Sequence, residues 1–264
     1  MWECPCIQNI SGKDVLLFSP QYTTLPGRGN STNHNVYFIG YMDYDTLTFT
    51  PESDYQYLDF GFDFYAAQLA AGVGDPDKAV IISWIGLPDN HYPTEPEEWE
   101  GSMTLPRELR ITDGKLIQTP VPAVRDLRGE KLPDAGKLVA SCELIANFSG
   151  GDADLDLFTK EDGTGGLTIH YDDGTHTCTI DRTGMDKRFN ENVFERLDMP
   201  LEKPLKKLDV FIDRSSVEIF ANDGEAVFST HLYPTEREFG FKCTENVATE
   251  GWTLERSVTD DFVV

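Results

Sequence analysis

The sequence predicts an all-β protein. Aromatic residues make up 11% of the 264 residues, with ten Tyr and sixteen Phe, and such side chains favour half-buried pleated strands over helices. Short apolar runs recur along the chain and end at Gly, Pro, Asn or Asp, which is the pattern of strands joined by turns. The first half shows no clear helical period of 3.6 residues. We therefore expect a core built from many short strands.

The first group of strands precedes residue 120. Apolar and aromatic runs bounded by turn residues predict strands at 14–18, 35–40, 47–50, 62–69, 78–85, 103–111 and 116–119. The last two flank Asp113-Gly114, a dipeptide typical of a tight hairpin turn. These strands are spaced as neighbours in antiparallel sheets.

A change of amino-acid composition after these strands predicts a domain boundary. Pro120, Pro122 and the polar run at 125–133 supply no continuous hydrophobic face. The predicted organisation is a first domain over residues 1–122, a linker over 123–133 and a second domain over 134–264.

Regular alternation of apolar and polar residues characterises the second domain. The residues predicted to share one face of its first strand are Leu138, Ala140, Cys142, Leu144 and Ala146. Further strands are predicted at 155–159, 167–171, 175–180, 208–212, 217–219, 226–231 and 252–254. About a dozen short strands with frequent turns indicate a two-layer β-sandwich.

Charge and cysteine content exclude several classes of function. The chain has 46 acidic and 22 basic residues, and its formal charge of -24 repels nucleic acids and anionic lipid surfaces. The longest apolar run, residues 79–87, is too short to cross a membrane. Five cysteines, odd in number and mostly far apart, fit a reducing compartment and predict a cytoplasmic protein without a zinc site.

The opening residues Trp2-Glu3-Cys4-Pro5 place one carboxyl group beside a large ring. Desolvation against an indole favours the protonated form of a carboxyl group, which is the form that a general acid needs. The alternative is that Glu3 is a surface carboxylate on a frayed terminus. These four residues alone leave both interpretations open.

Five segments, taken in order, resemble glycoside hydrolase family 32. They are WECP at 2–5, FDFYAAQ at 62–68, WIGLPD at 84–89, GSMTLPREL at 101–109 and FIDRSSVEIFANDGEAVFSTHLYP at 211–234. Five matches in register across nearly the whole chain make the resemblance specific. It implies a partial five-bladed β-propeller followed by a β-sandwich. It also implies a hydrolase that cleaves terminal β-D-fructofuranosides such as sucrose, sucrose-6-phosphate or fructans.

The resemblance also assigns roles to individual residues. Glu3 is implied to be the general acid/base of a retaining two-carboxylate mechanism, and Trp84 a platform for the sugar ring. Tyr65 and Asp63 are implied to lie beside the substrate or to orient the carboxylates. The alternative for these last three residues is packing within a strand. No metal or organic cofactor is implied, since two carboxylates suffice for the chemistry.

The chain departs from the family at two points. The family's aspartate nucleophile and its sugar-binding aspartate lie in Asn-Asp-Pro and Arg-Asp-Pro motifs, and neither motif occurs in the 264 residues. Cys6 stands where the family usually has Asp or Asn. Asp59, Asp63 and Asp89 are candidate replacements for the nucleophile, but their spacing does not place any of them opposite Glu3.

The chain is therefore expected to correspond to the C-terminal portion of such an enzyme and to be inactive alone. Two alternatives stay open. One is a non-catalytic module in which the β-sandwich binds carbohydrate or stabilises a partner. The other is one chain of a split enzyme, whose missing N-terminal propeller segment is a separate polypeptide. An incomplete propeller would also expose unpaired strand edges, so self-association is a further expectation.

Overall fold

The computed structural model describes residues 1–133, 136–190, 194–235 and 238–257. Nearly all regular structure in these ranges is antiparallel β-strand, which confirms the predicted all-β class. The strands are β1 (Trp2–Ile10), β2 (Lys13–Pro20), β3 (Val36–Asp43), β4 (Thr48–Pro51), β5 (Gln56–Tyr57), β6 (Tyr65–Leu69), β7 (Ala79–Ile85), β8 (Ser102–Met103), β9 (Arg107–Thr112), β10 (Lys115–Pro120), β11 (Arg128–Lys131), β12 (Lys137–Val139), β13 (Ser141–Phe148), β14 (Ala153–Thr159), β15 (Gly166–Asp172), β16 (Thr177–Gly184), β17 (Arg196–Pro200), β18 (Lys207–Asp213), β19 (Ser216–Ala221), β20 (Ala226–His231), β21 (Glu238–Cys243) and β22 (Val247–Leu254). Two short 3₁₀ helices span Glu95–Glu97 and Pro122–Leu127.

The N-terminal strands form two meander sheets of the kind found in propeller blades. The first sheet has the order β1-β2-β3-β4, with β5 beside β3. The second has the order β10-β9-β7-β6, with β8 beside β7. Strands β1 and β6 contact each other where the two sheets meet. A hydrophobic cluster fills the space between the sheets; it includes Val15, Leu17, Tyr37, Ile39, Ile81 and Leu109.

The remaining strands form the predicted β-sandwich. One sheet has the order β11-β22-β13-β18-β19-β20 and the other has the order β12-β21-β14-β15-β16-β17. The largest hydrophobic cluster lies between them and includes Leu144, Leu155, Ile169, Ile180, Val210 and Ile219. Each sheet therefore buries one face in a shared core.

The sequence suggested that the alternating run from Leu138 to Ala146 is a single strand. The structure divides it into two. Its first part is β12, which pairs with β21, and its second part is β13, which pairs with β18 and β22 in the opposite sheet. The chain changes sheet at Ala140. Leu138 and Cys142 both belong to the same core, whereas Ala140 between them is only half-buried.

The segment predicted as a linker, residues 123–133, contains regular structure. It includes most of the second 3₁₀ helix and all of β11, which pairs with β22 at the edge of the sandwich. Arg128 holds this segment on the sandwich, because its guanidinium donates to both carboxylate oxygens of buried Glu143 at 2.5 and 2.6 Å. The domain limits at 122 and 134 stay a prediction.

A buried ion cluster joins the second N-terminal sheet to the sandwich. Arg107 of β9 is fully buried and donates to Asp59 at 2.9 Å and to Glu218 of β19 at 2.6 Å. Its Nη2 also donates to the Ser229 hydroxyl of β20 at 2.6 Å. Burial alone would lower the pKa of Arg107, but the carboxylates of Glu218 and Asp59 raise it. The guanidinium therefore keeps its charge and holds the second N-terminal sheet against the sandwich.

The structure also bears on the cysteines and on membrane contact. All five cysteines are free thiols. In the described ranges, no helix is long and apolar enough to cross a membrane. A cytoplasmic location stays a prediction.

Candidate active site

The residues around Glu3 form an ordered strand rather than a frayed end. Trp2 and Glu3 pair with Pro20 and Ser19 of β2, and the terminal ammonium donates to the Gln21 carbonyl at 3.0 Å. The frayed-terminus interpretation of Glu3 is therefore wrong. The carboxylate stands on β1, where the two N-terminal sheets meet.

A β-bulge directly after Glu3 sets the direction of the strand. Glu3 lies opposite Ser19 and Cys6 lies opposite Leu17. Two residues of β1, Cys4 and Pro5, therefore lie opposite a single residue of β2. Cys4 has φ of 47°, and Pro5 has no N–H that a ladder would need. Bulges bend a strand and re-aim a side chain, and they are frequent beside active sites.

Tyr65 is the partner of Glu3. Its hydroxyl donates to Glu3 Oε2 at 2.8 Å from the first residue of β6. Burial, followed by the hydrogen bond and the charge of Glu3, raises the pKa of Tyr65, so the phenol stays a donor. Tyr65 also precedes a bulge, because Tyr65 lies opposite Trp84 and Gln68 opposite Ile82. Both strands are thus distorted just after their site residue.

Trp2 does not desolvate Glu3, contrary to the expectation from sequence. Its ring stacks on Phe18, with centroids 4.0 Å apart, and 61% of the residue is exposed. Successive side chains in a strand point to opposite faces, so neighbours in sequence are not neighbours in space. The ring beside Glu3 is that of Tyr65.

Trp84 lies across the sheet from Tyr65 and is half-buried. Its indole occupies space that two glycines leave free. A Cβ added at Gly86 would lie 2.2 Å from the ring, and one at Gly101 would lie 1.8 Å from the indole nitrogen. Directly paired residues project from the same face of a sheet. Trp84 and Tyr65 therefore stand side by side, with the indole held in one position.

The structure corrects the role expected for Asp63. This carboxylate is fully buried where the second N-terminal sheet meets the sandwich. One oxygen accepts from the Tyr92 hydroxyl at 2.9 Å; the other accepts from the Thr230 hydroxyl at 3.1 Å and from Arg182 at 3.3 Å. With both oxygens occupied by protein groups, Asp63 connects the two halves and does not face a sugar.

The other aspartates considered as nucleophiles are also engaged elsewhere. Asp59 is held by Arg107 and by the backbone N–H and hydroxyl of Ser229. Exposed Asp89 accepts from the Asn33 amide at 2.9 Å. None of these hydrogen bonds involves Glu3. Among the described residues, no group of three or more His, Cys, Asp or Glu is placed to hold a metal ion.

Tyr22 is a residue near Tyr65 that the sequence did not indicate. It follows β2 with φ of 61° and is 73% exposed, and its charge makes the smallest contribution to the raised pKa of Tyr65. A single Tyr in a polar loop gives no signal of this proximity.

Two family models together match almost the whole chain. The model of the glycosyl hydrolases family 32 N-terminal domain matches residues 1–120, and the model of the family 32 C terminal matches residues 113–259. The chain belongs to glycoside hydrolase family 32. The resemblance of its five segments is thereby confirmed.

Sucrose-6-phosphate hydrolases are among the family 32 relatives. The enzyme from Staphylococcus xylosus is 34% identical over 255 residues, which are 92% of this chain and 51% of that protein. The enzyme from Bacillus subtilis (strain 168) is 32% identical over 252 residues, with 89% and 50% covered. The chain thus spans about half the length of the curated relatives it matches.

Solved family 32 structures have the same fold. The sucrose-6-phosphate hydrolase from Lactobacillus gasseri superposes with a TM-score of 0.86 at 29% identity, covering 97% of this chain and 55% of that one. A β-fructofuranosidase from Bombyx mori gives 0.81 at 26% identity, with 98% and 55% covered. These neighbours confirm the fold class of a β-propeller followed by a β-sandwich. In the described residues of this family 32 chain, the two N-terminal sheets do not close a ring.

Proposed function

We propose that this chain is the acid/base-bearing part of a retaining β-fructofuranosidase. Glu3 protonates the glycosidic oxygen as the fructosyl intermediate forms and then takes a proton from the water that releases fructose. The observation that carries the proposal is the Tyr65–Glu3 hydrogen bond where two blade-like sheets meet, in a fold shared with sucrose-6-phosphate hydrolases. Terminal fructofuranosides are the substrate class, and sucrose-6-phosphate is the leading candidate from the relatives' activity.

The other side chains have supporting roles in this proposal. Tyr65 is a positioning residue, because its hydroxyl fixes one oxygen of the Glu3 carboxylate. Trp84 offers an aromatic face to the apolar side of the sugar ring, and Gly86 and Gly101 keep that face in place. A retaining mechanism needs a second carboxylate about 5 Å from the first. The site described above contains a single carboxylate, that of Glu3.

A fused enzyme tests the proposal. It joins the part of the Staphylococcus xylosus relative that precedes the matched segment to this chain, in one polypeptide. We expect the fused enzyme to release fructose from sucrose-6-phosphate or sucrose, and this chain alone to release none. Fructose release by the chain alone that depends on Glu3 would contradict the single-carboxylate site. A folded but inactive fused enzyme that binds sugar would favour the non-catalytic carbohydrate-binding module.

Tyr65→Phe in the fused enzyme tests the positioning role. The change removes one hydrogen bond to a carboxylate, which contributes about 1.5–3 kcal/mol, and leaves the ring packing in place. We expect kcat to fall by about ten-fold or more, with KM little changed. Tyr37→Phe is the matched control, because buried Tyr37 donates to Gln56 away from Glu3. A purely structural role for Tyr65 would show as lower thermal stability with unchanged kcat.

A further inference from the structure

His231, the last residue of β20, connects the sandwich to the second N-terminal sheet. The residue is fully buried. Its Nδ1 lies 2.8 Å from the carbonyl oxygen of Ser215, in the turn between β18 and β19. Its Nε2 lies 2.8 Å from the carbonyl oxygen of Ile85, the last residue of β7. The imidazole ring therefore spans the boundary between the sandwich and the sheet.

These two contacts require a proton on each ring nitrogen. A backbone carbonyl oxygen accepts hydrogen bonds and cannot donate one. A neutral imidazole has a single N–H, so it would satisfy one carbonyl group and turn the lone pair of its other nitrogen toward the second carbonyl oxygen. An imidazolium donates to both. The geometry favours the doubly protonated ring.

The surroundings of the ring suit a buried cation. The Tyr233 ring stacks on the imidazole with centroids 5.7 Å apart, and the Tyr92 ring meets it at 67° with centroids 5.6 Å apart. Aromatic rings attract cations, and burial raises the pKa of both phenols, so the two tyrosines stay uncharged. The Asp63 carboxylate accepts from the backbone N–H of His231 at 3.1 Å and from Arg182 at 3.3 Å. One carboxylate therefore serves two neighbouring cations.

The same ring contacts the two segments that hold the Trp84 indole. The carbonyl group of Ile85 belongs to the peptide bond with Gly86, where an added Cβ would lie 2.2 Å from the indole. Ser102 directly follows the other glycine against the indole, and its hydroxyl lies 3.5 Å from His231 Nε2. Ile85 and Ser102 are paired across β7 and β8. His231 therefore lies beside the backbone that confines the indole.

We propose that His231 is a buried imidazolium and a positioning residue for Trp84. The protonated ring holds the peptide bond after Ile85 against the sandwich, and so keeps the indole in one orientation. The sandwich thereby acts on the candidate active site through one charged side chain. The value of that orientation for sugar binding rests on the proposed function, whereas the charge of the ring does not.

Nitrogen NMR spectra of this chain, prepared with isotopically labelled histidine, test the charge of the ring. We expect both ring nitrogens of His231 to carry a directly bonded proton at pH about 7, where an exposed imidazole is mostly neutral. Ser102→Ala removes the hydroxyl that could donate to an unprotonated Nε2, so both N–H signals should persist in this variant. A ring nitrogen of His231 without a proton would overturn the proposal.

His231→Gln tests the positioning of Trp84. Glutamine is uncharged and its single amide group can donate to one of the two carbonyl oxygens, not to both across the ring. We expect the indole N–H signal of Trp84 to shift or broaden in this variant. The signal of Trp252, which packs on Arg128 in the sandwich, should stay in place. An unchanged Trp84 signal in a folded variant would contradict the positioning role.

His170→Gln is the matched control. The His170 side chain is 45% exposed and bonds to Asp154 on the sandwich, so both indole signals should stay unchanged. In the fused enzyme, His231→Gln should raise KM about three-fold or more and leave kcat within about two-fold, as expected when binding shared by the ground and transition states is weakened. A fall in kcat with unchanged KM would contradict the inference. The NMR results come from this chain alone, so an inactive fused enzyme would count against the proposed function and not against the charge of His231.

Discussion

Replacing Arg107 with methionine is expected to lower the free energy of unfolding of this chain by about 3–5 kcal/mol. The guanidinium is fully buried and contacts two carboxylates, Asp59 and Glu218, that are themselves buried. Methionine fills much of the volume between the neighbouring Phe64 and Phe220 rings but leaves both carboxylates without a cation. The loss is measured by urea unfolding followed by circular dichroism.

Two further measurements separate the loss of the buried ion cluster from a general effect of removing an arginine: the pH dependence of the loss and the effect of replacing a neighbouring arginine. Burial raises the pKa of Glu218, and loss of the Arg107 charge raises it further, so the folded variant binds this proton more tightly than the unfolded chain and its deficit should shrink as the pH is lowered. Arg110→Met is the matched control on the same strand. Its side chain is 47% exposed and pairs with Glu108, so a change within about 0.5 kcal/mol is expected. A loss below about 1 kcal/mol for the Arg107 variant would contradict the structural role of the cluster.

Replacing Glu3 with glutamine in the fused enzyme is expected to lower kcat for sucrose by roughly 10²–10⁴-fold. Glutamine keeps the size of the side chain and can still accept the hydrogen bond from Tyr65, but it neither gives nor takes a proton. Folding should be unchanged, because Glu3 is only half-buried in a paired strand. Initial rates of fructose release measure the loss.

Glu52→Gln provides the comparison for Glu3. Glu52 follows the same sheet's outer strand and pairs with Lys13 at the surface, away from Tyr65. Its replacement should leave kcat within about two-fold of the parent, as is usual for a surface substitution. Equal losses from the two replacements would indicate a general charge effect and not an acid/base role for Glu3.

Local alternation predicted the hairpins but not the order of the sheets. Strands β18, β19 and β20 were predicted because their inward residues alternate and Asn222-Asp223-Gly224 marks a turn. Strand β1 was missed because Pro5 and the bulge interrupt its pattern. The change of sheet at Ala140 leaves no mark, since a period of two reports which face is buried and not which sheet a strand joins.

In the candidate site, too, some features could be predicted from the sequence and others could not. The resemblance indicated Glu3 and Tyr65, and the structure brings them within hydrogen-bond distance although 62 positions separate them. Asp63 stands only two residues before Tyr65, but its partners Arg182 and Thr230 lie 119 and 167 positions away. Partners so distant in sequence leave no local pattern, so a buried connecting carboxylate and a substrate-binding one look alike.

The most direct test of Glu3 as the general acid compares two leaving groups. Fructosyl transfer from a nitrophenyl fructoside needs little protonation of the departing oxygen, whereas transfer from sucrose depends on it. In the fused enzyme, Glu3→Gln should therefore slow the fructosyl-transfer step, measured as the first turnover, at least about 100-fold more for sucrose than for the nitrophenyl fructoside. An equal loss for the two substrates would show that Glu3 does not protonate the leaving group.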